Sequence, residues 1–305
     1  MSLWGRHRLG RSGALTAYMS GLEIISRSMS VATSGPPTGK RFLYGNTWQY
    51  HPRSDRHSKI ACWGVVFDFL RESPLLRSHV AAQKVAIGIN HPMRDFSQNR
   101  TKNLDLVICR ASAVRPPRSR NFADLISQYT IVLSDSEMSM LRNFPPLPVA
   151  VPATVLVAME AKACMTEFVK ARPRLYDELN SSHLTIHGDT NSAIAAGFAM
   201  INVAETFVSP IRNPWSLSEH EAVVSRHRQP LDARSVVQKI LELPRRSGVA
   251  TAGFDAFGIA VINCPNDGRA VSHIEEPLDP AAAGLAYDDF VVRLAQLYET
   301  RFAAI

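Results

Sequence analysis

Glu160 and Lys162 stand two residues apart at the end of an apolar run, Val155-Leu156-Val157-Ala158-Met159, within the stretch ATVLVAMEAKACMTEF. The run has the uninterrupted, β-branched character of a strand buried on both faces. On a strand, positions i and i+2 project to one side, so the carboxylate and the ammonium lie together. Charges at the edge of a core are costly to desolvate and need partners. They can serve each other as a plain ion pair, or they can serve a metal and a phosphate. Asp105, inside NLDLVIC, is a second acid in a strand, where Asp is disfavoured. If the two strands pair, Asp105 and Glu160 converge on one divalent cation, with the Ala161 carbonyl as a further oxygen. Such hard donors, completed by water and phosphate, suit Mg2+, with Mn2+ as a substitute. A metal held there polarises a phosphodiester and lowers the pKa of an attacking water. Lys162 would stabilise developing negative charge or orient the nucleophile.

The elements that must position these residues follow from the pattern around them. From Ser58, SKIACWGVVFDFLRES carries Ile60, Trp63, Val66, Phe67 and Leu70 at helical spacing, and Pro74 ends the helix before a second helical piece, LLRSHVAAQKV. GINHPMRDFSQNRTK reads as a polar, basic loop and NLDLVICRA as a short strand. Residues 112–152 hold six prolines, the basic RPPRSR and one strand-like YTIVLSD, and read as an insertion. After the Glu-x-Lys strand come a helix over TEFVKARPRLYDELNSS, a small-residue helix at NSAIAAGFAM and a strand at INVAETFVS. An amphipathic helix at DARSVVQKILELPRR, a buried strand at AFGIAVINC and a closing helix at YDDFVVRLAQLYETRF complete the chain. The expectation is an α/β fold, a mixed central sheet flanked by helices.

An Asp in a short strand, then Glu-x-Lys on an apolar strand, then a helix, resembles the PD-(D/E)xK nuclease superfamily, which includes many restriction, phage and repair nucleases. The order helix, β-meander, helix, strand covers about residues 58–209. The resemblance implies a restriction-endonuclease-like core, with Asp105 and Glu160 as metal ligands and Lys162 as the catalytic lysine. It implies a further acid from the leading helix, for which Asp68 and Glu72 qualify, and supporting or DNA-contacting residues on the helix after Glu-x-Lys, here Lys170, Arg172 and Arg174. It also implies Mg2+-dependent cleavage of double-stranded DNA, as a restriction-type or phage-associated endonuclease, and a homodimer by analogy. Two departures matter. No proline precedes Asp105, and 55 residues separate it from Glu160. Asp135, in YTIVLSDSE, is therefore a rival acid.

Charge fits this expectation without establishing it. The chain of 305 residues has 34 Lys+Arg against 27 Asp+Glu, a net +7, which favours a polyanionic partner. Arg53, Arg56 and Lys59 lie among Tyr44, Trp48 and Tyr50, a mixture suited to phosphates and stacked bases. Arg94, Arg100 and Lys102 add a second basic stretch. The alternative is a non-catalytic DNA-binding or scaffold protein in which the acids only make ion pairs. Four scattered cysteines, without CxxC, argue against a zinc module or disulfide framework and fit a cytoplasmic location. No apolar run reaches the roughly 18 residues of a membrane span. His183, His187 and Asp189 read either as metal ligands or as a turn with Asp189 or Thr190 capping the next helix. The basic opening, whose first acid is Glu23, reads as a transit peptide or as extra residues before Met19 or Met29. It also reads as part of a flexible arm over residues 1–45, ahead of one domain over 46–305 with C-terminal helical additions.

Overall fold

The computed structural model describes residues 19–34, 44–111, 120–248, 251–274 and 276–305. Six strands form the central sheet. In chain order they are β1 (Val85–Asp95), β2 (Arg100–Arg110), β3 (Val155–Cys164), β4 (Ile194–Asn202), β7 (Ala256–Asn263) and β8 (Ser272–His273), and they lie side by side in that order. β1, β2 and β3 form an antiparallel meander, β3, β4 and β7 run parallel, and β8 returns antiparallel. A separate ribbon pairs β5 (Thr206–Val208) with β6 (Val224–Arg226). The parallel step from β3 to β4 needs a crossover, and α6 (Phe168–Asp189) supplies it. One face of the sheet carries α2 (Arg56–Glu72), α8 (Tyr287–Arg301) and a core built from Trp63, Phe67, Leu106, Met159, Phe198 and Phe290. The other carries α6 and α7 (Leu231–Leu241) over Val107, Ala158, Leu179, Ala195 and Val236. Among the described residues no helix is long and apolar enough to cross a membrane.

Several elements depart from the pattern read in the sequence. The basic loop at residues 88–102 is the outer half of the β1–β2 hairpin. Only one of its faces is covered, so polar and buried residues alternate. Its turn is built by Asp95, whose Oδ1 accepts from Ser97 N and Gln98 N at 3.0 and 3.1 Å. The small-residue segment at 194–202 is β4, buried at every position, because it is central and covered on both faces. There burial overrides the weak β-propensity of alanine and glycine. A Cβ at Gly197 would stand 2.3 Å from the Phe257 ring, so small residues answer a packing demand. The segment 130–134 forms no strand. Instead, Ser134 and Glu137 make a reciprocal capping box that starts α5 (Asp135–Asn143), and Asp135 is that helix's first residue.

The expected flexible arm is corrected for residues 21–30. They form α1 (Gly21–Ser30), docked on α2 through fully buried Ile24, Ile25 and Met29, and residues 1–18 and 35–43 lie outside the described residues. Part of the proposed insertion, 112–119, also lies outside them. The rest folds as a short 3-10 turn, α4 (Leu125–Tyr129) and α5, with Phe122 stacked on Trp63 at 4.5 Å between ring centroids. The C-terminal part is no appendage, because β7 joins the central sheet and α8 covers it beside α2.

Candidate active site

The site forms where the meander forks. Pairing of β2 with β3 runs as far as Leu106 opposite Met159, and the next residues outward are Asp105 and Glu160. A backbone N–H left unpaired by a fork must find an acceptor. Ala161 N–H donates to Asp105 Oδ2 at 3.0 Å. Asp105 Oδ1 accepts from Ser58 Oγ at 2.8 Å and from Lys59 Nζ at 2.5 Å, both in the first turn of α2. An Asp in this strand thus closes the fork and anchors a helix.

Glu160 draws its partners from the other layer. Its Oε1 lies 2.7 Å from Lys162 Nζ and 3.6 Å from Lys102 Nζ. Lys162 also reaches Glu178 Oε2 on α6 at 3.3 Å, and Lys102 Nζ donates to the Glu178 carbonyl at 2.6 Å. The same-side projection expected of Glu160 and Lys162 is therefore what forms. Glu160 is only 1% exposed, and its buried Oε2 has no hydrogen-bond partner among the described residues.

These surroundings push the two acids apart. Burial would raise Asp105, but Lys59, the Ala161 N–H and Lys162 outweigh it and hold the carboxyl below the usual range. For Glu160 burial wins, helped by the charge of Asp105, and the carboxyl is raised despite Lys162 and Lys102. Burial works against the Lys162 ammonium, yet Glu160 and Asp105 raise its pKa overall. Beside them, burial lowers His57 to about 4, so its imidazole is neutral at physiological pH, and its Nδ1 has no partner among the described residues.

Asp105, Ala161 and Lys162 line one cleft of about 360 Å³ with Arg53, Asp55 and Arg174. The chain matches no family model, no curated protein and no solved structure. What the site can do therefore rests on its own geometry.

Several expected site residues lie elsewhere. Asp68 is fully buried nine residues beyond Lys59 on α2, about 14 Å along the axis at 1.5 Å per residue. Its carboxylate accepts from Ser20 N, Gly21 N and Tyr287 Oη at 3.1, 2.6 and 3.0 Å, so it fixes the start of α1 rather than a metal. Glu72, in the last turn of α2, contacts Arg71. Lys59 is buried against Asp105 and cannot meet a DNA phosphate. Arg56 is a clip inside the protein, donating to the carbonyls of Tyr129 and Ser28 at 3.1 and 2.7 Å. Arg94 and Arg100 stand at the hairpin, held by Asn99 and Asp95. Lys102 serves Glu160, and Asp135 opens α5.

Arg53, Lys170 and Arg174 are exposed, and Arg172 is half-buried. His183 bonds Asn180 at 2.9 Å and His187 bonds the Gly253 carbonyl at 2.8 Å. Asp189 ends α6 and accepts from Arg94 N at 2.8 Å, and the next element is a strand, so no helix is capped there. Among the described residues no three His, Cys, Asp or Glu side chains gather as a metal cluster. Sequence reasoning missed Asp55, His57, Ser58 and Glu178. Asp55 just ahead of the helix, an N-cap type three residues before Ser58, was the available signal for that end of α2.

Proposed function

We propose that this chain is a metal-dependent nuclease that hydrolyses phosphodiester bonds in DNA, of the PD-(D/E)xK kind. One observation carries the reading. Asp105 meets the Glu160-Ala161-Lys162 segment at the β2–β3 fork, where Asp105, Ala161 and Lys162 line an open cleft, and α2, β1–β2–β3, α6 and β4 follow in that order once α3 (Pro74–Ala81) and the intervening 3-10 turn, α4 and α5 are taken as insertions. A helix, a meander, a helix and a parallel strand is the order that the resemblance implies.

The donor set fits an oxygen-preferring cation. A carboxylate has about four acceptor sites. Asp105 uses three of them, and Glu160 Oε2 is buried without a partner among the described residues. Mg2+ is commonly held by one or two carboxylates, with water and substrate phosphate filling the rest, so a third acidic ligand is not required. Asp105 and Glu160 would hold it, and when bound it supplies Lewis-acid polarisation and a water of lowered pKa. Lys162 opposes the upward shift that burial gives the Glu160 carboxyl and presents an ammonium to charge developing on the phosphate. Lys59 and Ser58 keep Asp105 ionised and pointed at the fork. Arg53 and Arg174, on the cleft wall, are placed for neighbouring phosphates.

A second reading has its own observation. The Lys59 ammonium already neutralises Asp105, as it would in a binding protein that has no metal. Supercoiled and linear DNA incubated with wild type, Glu160→Ala and Lys162→Ala, with Mg2+ or with EDTA, separates the two. Metal-dependent cutting lost in both variants supports the nuclease, and discrete fragments would add sequence specificity. Equal binding by all three without cutting leaves the DNA-binding protein.

A further inference from the structure

A second cationic concavity lies one helical turn from the cleft. It encloses about 330 Å³ between the start of α6 and the β5–β6 ribbon, and Lys170, Arg212, Arg226 and Arg228 line it with Glu167 and Asp232. Both carboxylates are already paired, Glu167 with Lys170 at 3.5 Å and Asp232 with Arg228 at 3.2 Å. Among the described residues the Arg212 guanidinium donates only to the Ser225 hydroxyl, at 3.0 Å, and Arg226 has no ion pair. Arg212 and Arg226 thus line the same concavity with no ion pair of their own among the described residues.

A basic patch is ordinarily a solvated surface, and here the frame beneath it matters. Buried Asn213 ties the ribbon together, donating to the carbonyls of Ser209 and Val223 at 2.9 and 3.0 Å and accepting from Val223 N at 2.7 Å. The His227 imidazole spans the Ala204 carbonyl and the Thr166 hydroxyl, at 2.8 and 2.9 Å, and so joins the ribbon to the segment leading into α6. The arginines are therefore presented from a fixed scaffold, in the forked geometry that suits phosphate oxygens. The concavity and the cleft are neighbours along α6. Lys170 lines the one, Arg174 lines the other, and residues four apart share a helix face.

We propose that this concavity binds the DNA backbone flanking the scissile phosphate, with Arg212 and Arg226 as its principal phosphate contacts. The proposal rests on the nuclease reading for which phosphate is cut, but its binding test does not need cutting. A fluorescein-labelled DNA duplex is titrated in EDTA across a NaCl series, with wild type, with Arg212→Gln/Arg226→Gln, and with Arg110→Gln/Arg142→Gln as a charge-matched control outside the concavity. Each phosphate contact contributes about 0.9 to the slope of log K against log salt. The ribbon variant should lose about 1 to 2 of that slope and bind at least about tenfold more weakly, and the control should behave as wild type. With Mg2+, the variant's KM should rise while kcat at saturating DNA stays within about twofold.

An unchanged slope in the ribbon variant overturns the proposal even if wild type cuts DNA. So does a wild type that does not bind the duplex. A slope lost in the ribbon variant from a protein that never cuts DNA sinks the nuclease reading and leaves this backbone site standing.

Discussion

Lys59 Nζ lies 2.5 Å from Asp105 Oδ1, and the two side chains are 1% and 12% exposed. A lysine that sequence position assigns to the DNA-facing surface is an internal counter-ion for the acid at the centre of the site. Breaking a buried pair costs more than the pair contributes, because the survivor stays charged and desolvated.

Asp105→Asn should therefore destabilise the protein by about 3 to 5 kcal/mol at neutral pH. The sign of the pH dependence follows from the depressed carboxyl. Its stabilisation is complete above the ordinary aspartate value of 3.8 and is lost as pH falls through the lower folded value. Denaturant midpoints of wild type and variant should differ fully at neutral pH and converge in strong acid. A pH-independent gap would count against the ion pair.

Glu160→Gln should show the opposite slope, measured in EDTA. The folded carboxyl is raised above its ordinary value of 4.5, so stability present below 4.5 is lost as pH rises through the folded value. Wild type should lose ground to the variant with rising pH, while the variant loses DNA cutting. Parallel stability curves would contradict a raised Glu160 carboxyl.

Asp68→Asn should weaken the docking of α1, at a cost of about 1.5 to 3 kcal/mol for hydrogen bonds to a charged group. DNA cutting per folded molecule should stay as in wild type. A large fall in kcat with unchanged stability would restore Asp68 to the site.

Arg53 and Arg56, three residues apart, should separate cleanly. Arg56→Ala should cost about 1 to 3 kcal/mol and leave the salt dependence of DNA binding unchanged, since its guanidinium is spent on two carbonyls. Arg53→Ala should leave stability within about 0.5 kcal/mol and reduce the salt slope by about 0.9. Equal salt effects from the two would mean that Arg56 leaves its clip to meet DNA.

The residues of the fork were legible because each broke a local rule. Asp105 is an acid in a strand, and Glu160 and Lys162 are charges at the end of an apolar run. The long amphipathic and apolar periods behind α2, α6, α7, α8, β3 and β7 were legible for the same reason, as strong local patterns. What was not legible depended on distant partners. β4 looks helical in composition because only its neighbours on both faces demand small residues. The outer β1–β2 hairpin looks like a loop because one face is open to water. Asp68 and Lys59 sit among equally plausible acids and bases on one helix, and their duties are set by Gly21, Tyr287 and Asp105, 219 to 46 residues away along the chain.

The fork also bears on how the chain folds. Asp105 is held by Lys59, Ser58 and the Ala161 N–H, at sequence separations of 46, 47 and 56 residues, so no contact that orients it is local. Closing such loops costs chain entropy before any packing compensates it, and pairings of this kind slow folding. In a refolding experiment, fluorescence from Trp63, which stacks on Phe122 across a comparably long loop, and recovery of a competent acid centre should rise together. A partly folded chain would then hold its helices before it holds its chemistry.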